Sequence, residues 1–129
     1  MMFRLVAVSC LLMTTAAFVS ERDAACTPVI AGDLEQTPTV HDITFRARRY
    51  EFSPARIEVN RGDILKITVI AEDVPHSFTI DEYRISKRVS PDRSVTFELC
   101  ADKRGRFVYY CSLTANERCR EMRGELHVR

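Results

Sequence analysis

The 129-residue chain has no tryptophan and only four glycines, and the motifs of several enzyme classes are missing from it. It has no Cys-x-x-Cys pair for redox exchange, no Gly-x-Ser-x-Gly turn around a nucleophilic serine and no glycine-rich loop that could cradle a phosphate. It also has no amphipathic helical stretch, internal repeat or coiled-coil pattern. We therefore expect that the protein is not an enzyme.

An excess of charge of one sign is lacking as well, because 19 Lys and Arg residues stand against 18 Asp and Glu residues. Bulk charge therefore predicts neither nucleic-acid binding nor an acidic tail. Individual carboxylates such as Asp73, Glu117 and Glu121 lie beside basic or turn residues, and we expect them to be solvated or salt-bridged at the surface. The length allows one modest hydrophobic core, and so a single small domain.

The N-terminus has the layout of a secretory signal peptide, with an apolar run over 5–13 followed by small residues. We predict a signal peptide over 1–17 and a loose tail over 18–42, in which His41 is a solvated histidine. The apolar run is shorter than the roughly 20 residues that a membrane-spanning helix needs. The mature protein is therefore predicted to be exported, to the periplasm or the extracellular space, and not to span a membrane. A lipid anchor is a minor alternative.

Export changes how the cysteines are interpreted. Cys10 leaves with the predicted leader, and Cys26, Cys100, Cys111 and Cys119 remain. In an oxidising compartment, four cysteines first indicate disulfides, for which three pairings exist. A bridge between Cys111 and Cys119 would close a loop, whereas a bridge between Cys26 and Cys100 would leave the loop thiols free.

From residue 43 onward, apolar and polar residues alternate with the period of two that is typical of strands with one buried face. Turn-forming clusters separate these short alternating segments, at 60–63, 90–92 and 102–105. Short strands at regular spacing predict an all-β domain over 43–129, built as an antiparallel sandwich or barrel.

A sulfur-rich loop joins the last two predicted strands. Cys111, Cys119 and Met122 place two thiols and a thioether in this loop, and His76 lies at a loop-to-strand junction far upstream. Copper, and Cu(I) in particular, prefers such soft ligands together with imidazole. Structural zinc sites draw their ligands from closely spaced pairs and do not use methionine. We therefore predict a copper site formed by His76, Cys111, Cys119 and Met122.

Four segments of the chain together resemble a cupredoxin domain, in particular the copper A domain of cytochrome oxidase subunit II and nitrous oxide reductase. They are Tyr50–Pro54, Ile57–Asp63, Asp73–Phe78 and Tyr110–Gly124. The resemblance covers about residues 43–129. It implies a Greek-key β-sandwich that binds copper and acts in electron transfer or copper carriage.

The resemblance also implies a ligand pattern, from which this chain departs. The family has an upstream histidine and a loop of the form Cys-x3-Cys-x3-His-x2-Met that holds two copper ions. His76, Cys111 and Met122 match this pattern, but Ala115 stands at the second cysteine and Cys119 stands at the second histidine. Because one bridging thiolate is replaced by a methyl group, we predict a single copper ion that cycles between Cu(I) and Cu(II).

A metal-free domain is the alternative hypothesis. In it, Cys111 and Cys119 form a disulfide, His76 is a surface residue and the domain serves a structural or interaction role. Two cysteines that can both reach one metal ion are also close enough to be oxidised to a disulfide, so their spacing does not separate the two hypotheses.

The partner of a copper-binding form would be a redox or copper-delivery protein whose identity the residues do not indicate. Three arginines in or beside the loop would favour an acidic docking surface on that partner: Arg118, Arg120 and Arg123.

Overall fold

The structure, a computed structural model, describes Cys26 and residues 37–129. The predicted signal peptide and most of the predicted tail lie outside the described residues. Two short 3-10 helices, Asp81–Tyr83 and Glu117–Glu121, are present among the strands. The strands in the described part are β1 (Val40–Arg48), β2 (Glu51–Ser53), β3 (Arg56–Val59), β4 (Ile64–Ala71), β5 (His76–Ile80), β6 (Ile85–Val89), β7 (Ser94–Cys100), β8 (Gly105–Tyr110) and β9 (Arg123–Val128).

The strands form two sheets that pack face to face. One sheet has the order β2-β1-β4-β7 and the other has the order β3-β9-β8-β5-β6. Neighbours within a sheet are mostly not consecutive in the chain, and the predicted Greek-key β-sandwich is confirmed. The sheets are not wholly antiparallel, however, because β1 pairs with β4 and β3 pairs with β9 in parallel. Alternation with period two is the same in both kinds of pairing, so it could not reveal this.

The alternation places one face of each central strand in the core. In β4, the buried side chains are those of Leu65, Ile67, Val69 and Ala71, while their neighbours face outward or are half-buried. Between the sheets, four rings form an aromatic cluster with neighbouring centroids 4.8 to 5.8 Å apart. Its members are Phe45, Phe52, Phe78 and Tyr109.

The aromatic cluster lies directly next to the predicted ligands in the chain. Phe78 follows His76 by two residues on β5, and Tyr109 precedes Cys111 by two residues at the end of β8. Both rings are fully buried. Burial of one such side chain stabilises the fold by about 1.5–3 kcal/mol, so the core holds the backbone on both sides of the predicted site.

The first strand begins at Val40, within the segment predicted as a tail. It pairs with β4 from Val40 onward, and Cys26 is joined to Cys100 at the end of β7 by a disulfide with a Cα–Cα distance of 5.4 Å. These contacts attach the described part of the tail to the four-stranded sheet. Within the described residues, we find no helix of the length and apolarity required to cross a membrane.

The turn at 60–63 is held by a buried carboxylate. Gly62 has a φ of 92°, a conformation that side chains rarely allow. Asp63 accepts hydrogen bonds from the backbone N–H groups of Asn60 at 2.9 Å and Thr39 at 3.3 Å, and from Nε2 of His41 at 2.9 Å. The expectation that His41 is merely solvated was therefore wrong. Its partner lies too far along the chain for a local pattern to indicate it.

We expect Asp63→Asn to lower the free energy of unfolding at pH 7 by about 1.5–3 kcal/mol, because hydrogen bonds to a charged acceptor are lost. Burial raises the pKa of Asp63, but the hydrogen bonds from Asn60, His41 and Thr39 outweigh it and hold the pKa below its usual range. The charged carboxylate of Asp63 therefore contributes its full stabilisation above about pH 3.9, the pKa of an aspartate in the unfolded chain. This stabilisation is lost as the pH falls through the lower pKa that Asp63 has in the folded protein.

Denaturant unfolding at pH 7 and again well below pH 4 measures this effect, and the difference between wild type and Asp63→Asn should shrink at the lower pH. Asp42→Asn, at an exposed position of β1, is the control and should change the free energy of unfolding by no more than about 0.5 kcal/mol. A difference between wild type and Asp63→Asn that is the same at both pH values would contradict the linkage.

Candidate metal centre

The four predicted ligands lie at one end of the sandwich. His76 begins β5, Cys111 directly follows β8, Cys119 lies in the helix Glu117–Glu121, and Met122 follows that helix. Their exposed fractions are 1% for His76, 0% for Cys111, 2% for Cys119 and 0% for Met122. The fold thus buries every residue of the predicted set.

Three of these residues converge on one point. A ring nitrogen of His76 and the sulfur atoms of Cys111 and Cys119 all lie within 4.8 Å of one another. Within the described part of the chain, His76 Nδ1 is buried without a hydrogen-bond partner. A buried polar atom without a partner is costly, and a neutral imidazole nitrogen is a common metal ligand. The donor set therefore fits a soft metal ion such as copper.

Backbone contacts close the loop that carries the sulfur atoms. The N–H of Cys111 donates to the carbonyl of Met122 at 3.3 Å, and the N–H of Met122 donates to the carbonyl of Cys119 at 3.1 Å. The side chain of Asn116 accepts from the N–H of Arg118 at 3.0 Å and caps the short helix. The backbone of Met122 is thereby placed beside Cys111, while its role as a ligand stays a prediction.

Asp73 orients the imidazole ring. One carboxylate oxygen accepts from His76 Nε2 at 2.7 Å and from the N–H of Val74 at 2.7 Å, and the other accepts from the N–H of Arg49 at 2.7 Å. Burial raises the pKa of Asp73, but hydrogen bonds from His76, Arg49 and Val74 outweigh it and lower the pKa to about 2. The carboxylate therefore holds the ring proton on Nε2 and leaves the lone pair on Nδ1.

The sequence-based expectation of a solvated or salt-bridged surface role for Asp73 was incomplete. Its side chain also pairs with Arg49 at 3.5 Å, but its shortest side-chain contact is the one with His76. The available signal was its position three residues before the histidine on a proline-containing loop, which can fold back on itself.

Ser77 directs two donors at the sulfur of Cys111. The N–H of Ser77 lies 3.4 Å from Cys111 Sγ and the Ser77 hydroxyl lies 3.8 Å from it. Ser77 Oγ also accepts from the N–H of Ser112 at 2.7 Å, and Ser112 Oγ lies 3.0 Å from Thr79 Oγ1. An N–H group directed at sulfur stabilises negative charge there. Sequence considerations missed these residues, although Ser77 and Ser112 each directly follow a predicted ligand.

In the structure, Cys111 and Cys119 are joined by a disulfide with a Cα–Cα distance of 5.3 Å. Thiolates, and not the sulfur atoms of a disulfide, are the ligands that metal ions bind. The structure therefore shows an oxidised loop, and metal binding by both sulfur atoms requires its reduction. The metal and disulfide hypotheses describe two redox states that the same residues can adopt.

A cleft of about 140 Å³ opens onto this group of residues. His76 and Cys119 contribute to its wall, whereas Cys111 does not. Ala115 also lines the cleft, at the position where the resemblance implies a second cysteine. One side of the predicted site therefore faces an opening, and the other side faces the core.

Tyr50 connects the cleft wall to the loop. Its hydroxyl accepts a hydrogen bond from Asn116 Nδ2 at 3.3 Å, and the guanidinium of Arg118 lies 4.1 Å from the centre of its ring. Such cation–π contacts contribute about 0.5–1 kcal/mol at exposed sites. Arg88 lines the cleft itself, and Arg118 lies against Tyr50 of the cleft wall.

Comparison with known proteins supports the resemblance. The family model for the cupredoxin-like domain matches residues 5–128. Nitrous-oxide reductase of Stutzerimonas stutzeri is 31% identical over 81 residues, which are 60% of this chain and 13% of that protein. The chain thus spans only a small part of this curated relative.

Two solved structures share the fold. The periplasmic domain of subunit II of cytochrome oxidase of Bradyrhizobium japonicum matches with a TM-score of 0.62 and 15% identity, over 69% of this chain and 83% of that one. The metal-binding domain of the Cu(I)-exporting P-type ATPase of Streptococcus pneumoniae matches with a TM-score of 0.58 and 16% identity, over 74% of this chain and 91% of that one.

The chain is a two-sheet sandwich with a histidine and two cysteines gathered at one end. The chain belongs to the cupredoxin-like family. Members of this family are typically electron carriers and not enzymes, which agrees with the expectation that the chain is not an enzyme.

Proposed function

We propose that the protein is an exported cupredoxin that binds one copper ion through His76, Cys111, Cys119 and Met122. The observation that carries this proposal is that a ring nitrogen of His76 and the two loop sulfur atoms lie within 4.8 Å of one another, while His76 Nδ1 is buried without a hydrogen-bond partner. Imidazole, thiolate and thioether together form a donor set that favours copper over hard ions such as magnesium or calcium.

The residues at the cleft support one ion in preference to two. A binuclear centre of the copper A type uses two bridging thiolates, and the second of these would come from position 115. Ala115 carries only a methyl group there and contributes no donor atom. The remaining donors are sufficient for a single ion.

The chain's own residues would prepare the site for reversible one-electron chemistry, which copper supplies when it is bound. Asp73 fixes the tautomer of His76, and the N–H of Ser77 stabilises charge on the sulfur of Cys111. The buried rings of Phe78 and Tyr109 exclude water from the inner side and hold the strands in place. Two of the proposed ligands, His76 and Cys111, lie at the ends of strands that this core holds, so the site would change little in geometry between redox states, which favours electron transfer as the function.

Copper carriage is the second candidate function. The specific observation that favours it is Cys119, a sulfur ligand at a position where the resemblance implies histidine. Additional sulfur stabilises Cu(I), the form in which copper is handed from one protein to another.

The surroundings of the cleft indicate the charge of the partner. Arg88 lines the cleft and Arg118 lies against Tyr50 of its wall, and Arg120 and Arg123 are exposed on and just after the neighbouring helix. Complementary charge accelerates encounter between proteins and is screened by salt. We propose that the redox or copper-delivery partner presents carboxylates to this surface.

Anaerobic titration of the reduced protein with Cu(I) and Cu(II), followed by optical and paramagnetic spectra, tests the copper proposal. Uptake of about one equivalent is expected. Asp73→Asn removes the group that orients His76 and should weaken copper binding by roughly 10–100-fold. His76→Ala and Cys111→Ser each remove a ligand, and each should therefore weaken copper binding by more than Asp73→Asn does.

His127→Ala is the matched control for the titration. This histidine lies on β9 with its side chain 26% exposed and contacts Glu58, outside the predicted site. Its removal should leave copper binding unchanged. Absence of uptake near one equivalent, or uptake that His76→Ala and Cys111→Ser both leave unchanged, would overturn the proposal.

A further inference from the structure

The strand β6 forms an open edge of the five-stranded sheet. It pairs with β5 on one side, and no strand in the described part of the chain pairs with it on the other. On β5, the N–H of Ser77 is directed at Cys111 Sγ, on the side of β8. Thr79 pairs with Tyr110 of β8 and so faces the same way. Because backbone direction alternates along a strand, the residue between them, Phe78, directs its N–H and C=O groups toward β6.

The register then shows which backbone groups of β6 face outward. Arg88 stands opposite Ser77, whose backbone groups face β8. Ser86 stands opposite Thr79, which faces the same side. Ser86 and Arg88 therefore direct their own N–H and C=O groups away from β5. Within the described residues, no backbone hydrogen bond from another segment reaches these groups. An edge of this kind can accept an added strand.

Positive charge without a carboxylate partner surrounds this edge. The segment 84–93 has four exposed basic residues: Arg84, Lys87, Arg88 and Arg93. Its one acidic residue is Asp92. None of the four basic side chains lies within 4.0 Å of a carboxylate of the described residues, whereas Arg56, on the opposite edge strand β3, contacts Glu58 and Glu125. Two copies of β6 side by side would bring like charges together, so the edge suits an acidic strand better than a second copy of itself.

The inner side of the same edge is apolar. Ile85 of β6 and Phe97 of β7 are only partly buried where they border the core, and Lys87 Nζ lies 5.9 Å from the centre of the Phe97 ring. Side chains of a strand alternate between its two faces. One face of an added strand would therefore meet these apolar groups, and the other face would meet Arg88.

We propose that β6 binds an extended segment of a partner protein as an added strand, in which acidic and apolar residues alternate. The backbone of this segment pairs with Ser86 and Arg88, and its carboxylates face the guanidinium of Arg88. Its apolar side chains cover Ile85 and Phe97. Arg88 also lines the cleft that opens onto His76. The addition of the strand requires no metal, whereas the arrival of this partner at a copper site rests on the proposed function.

A synthetic peptide in which glutamate alternates with valine is the probe for this proposal. It is titrated into the isotope-labelled, metal-free full chain with its disulfides intact, and binding is followed by NMR. The amide signals of Ser86 and Arg88 should shift, and their hydrogen exchange should slow. A control peptide that is N-methylated at the pairing amides keeps every charge but loses the strand hydrogen bonds, and it should bind at least about tenfold more weakly.

A proline on the edge tests the backbone pairing from the side of the protein. Ser86→Pro removes an N–H that faces outward, a position at which an edge strand tolerates proline. It should bind the peptide at least about tenfold more weakly, because one hydrogen bond is lost and the ring hinders the approach of the added strand. Ser86→Ala is the control, since it loses the same hydroxyl, 3.2 Å from Thr79 Oγ1, and keeps the N–H. Thermal unfolding verifies that both variants are folded.

A matched pair of arginine variants tests the charge. Arg88→Gln should weaken binding of the peptide by about two- to fivefold, as expected for the loss of an exposed ion pair. Arg56→Gln removes the same charge from the opposite edge of the sheet and should leave binding unchanged. High salt should weaken binding to wild type, because exposed charges are screened.

Four results would overturn the proposal: equal binding of the N-methylated and unmodified peptides, equal binding by folded Ser86→Pro and Ser86→Ala, equal binding by Arg88→Gln and Arg56→Gln, or binding of anionic phospholipid vesicles without binding of the peptide. Self-association of the chain that Ser86→Pro abolishes would also overturn it, because the occupant would then be a second copy. None of these measurements includes copper. Failure of copper uptake therefore counts against the proposed function alone, and absence of peptide binding counts against the added strand alone.

Discussion

Replacement of Cys119 by histidine is expected to produce a one-copper site of the blue type whose formation no longer requires a reductant. The variant would combine two imidazoles with the thiolate of Cys111 and the thioether of Met122, which is the ligand set of blue-copper electron-transfer sites. It also removes one partner of the loop disulfide, so Cys111 remains a free thiol. Because Cys119 lies at the cleft, the larger imidazole has room on that side.

The optical and paramagnetic spectra of the Cu(II) form provide the measurement for Cys119→His. An intense thiolate-to-copper absorption band should appear at one equivalent of copper. Cys119→Ser is the control, because it breaks the same disulfide without supplying an imidazole, and it should bind copper more weakly without that band. A Cys119→His variant that takes up no copper would count against the ligand assignment.

Addition of Ala115→Cys to Cys119→His extends the same experiment. The double variant restores the full loop pattern that the resemblance implies, with a second bridging thiolate at the cleft. Copper uptake should then rise from one ion to two per chain. A stoichiometry that stays at one would indicate that position 115 is not placed to bridge two ions.

The second large effect is expected from Gly124→Ala, which should lower the free energy of unfolding by about 3 kcal/mol, at the upper end of the usual range for overpacking. Gly124 of β9 stands opposite Tyr109 of β8, and a Cβ at position 124 would overlap the tyrosine ring. The ring has little room to move, because it stacks on Phe78 at 5.1 Å and donates its hydroxyl to the carbonyl of Pro54 at 2.8 Å.

Equilibrium unfolding in denaturant measures this loss, and Gly62→Ala is the matched control. No atom lies within 4 Å of a Cβ at position 62, so only its positive φ of 92° opposes the substitution, at about 1–2 kcal/mol. In a Tyr109→Ala background, Gly124→Ala should lose most of its effect, because the overlapping ring is gone. If Gly124→Ala costs no more than Gly62→Ala, close packing against Tyr109 is not the cause.

Much of the fold could be predicted from local patterns. The alternation in 64–70 and 95–99 indicated one-sided strands, and β4 and β7 are found there with their apolar side chains directed inward. The turn at 60–63 was likewise indicated by the Asn and Gly residues that accept positive φ. The parallel pairing of β1 with β4 was missed, because side-chain alternation does not depend on strand direction.

Local patterns also predicted part of the candidate metal site. Soft donors at short spacing in one loop must lie near one another, so Cys111 and Cys119 were found from the sequence. Asp73 and Tyr50 were missed as parts of the site, since a carboxylate or a tyrosine near a turn has the same local pattern whether it faces solvent or a buried imidazole. Their roles depend on contacts with His76 and with Asn116 across the fold.

The residue types of this chain set the chemistry that is available: three sulfur atoms, one upstream imidazole and a methyl group where a second bridging thiol would stand. How these groups meet depends on the fold, because the distance between β5 and the loop after β8 is set by the packing of the strands and not by any local pattern. That packing leaves His76 Nδ1 without a partner, brings Cys111 and Cys119 within bonding distance and places Cys119, but not Cys111, at the cleft.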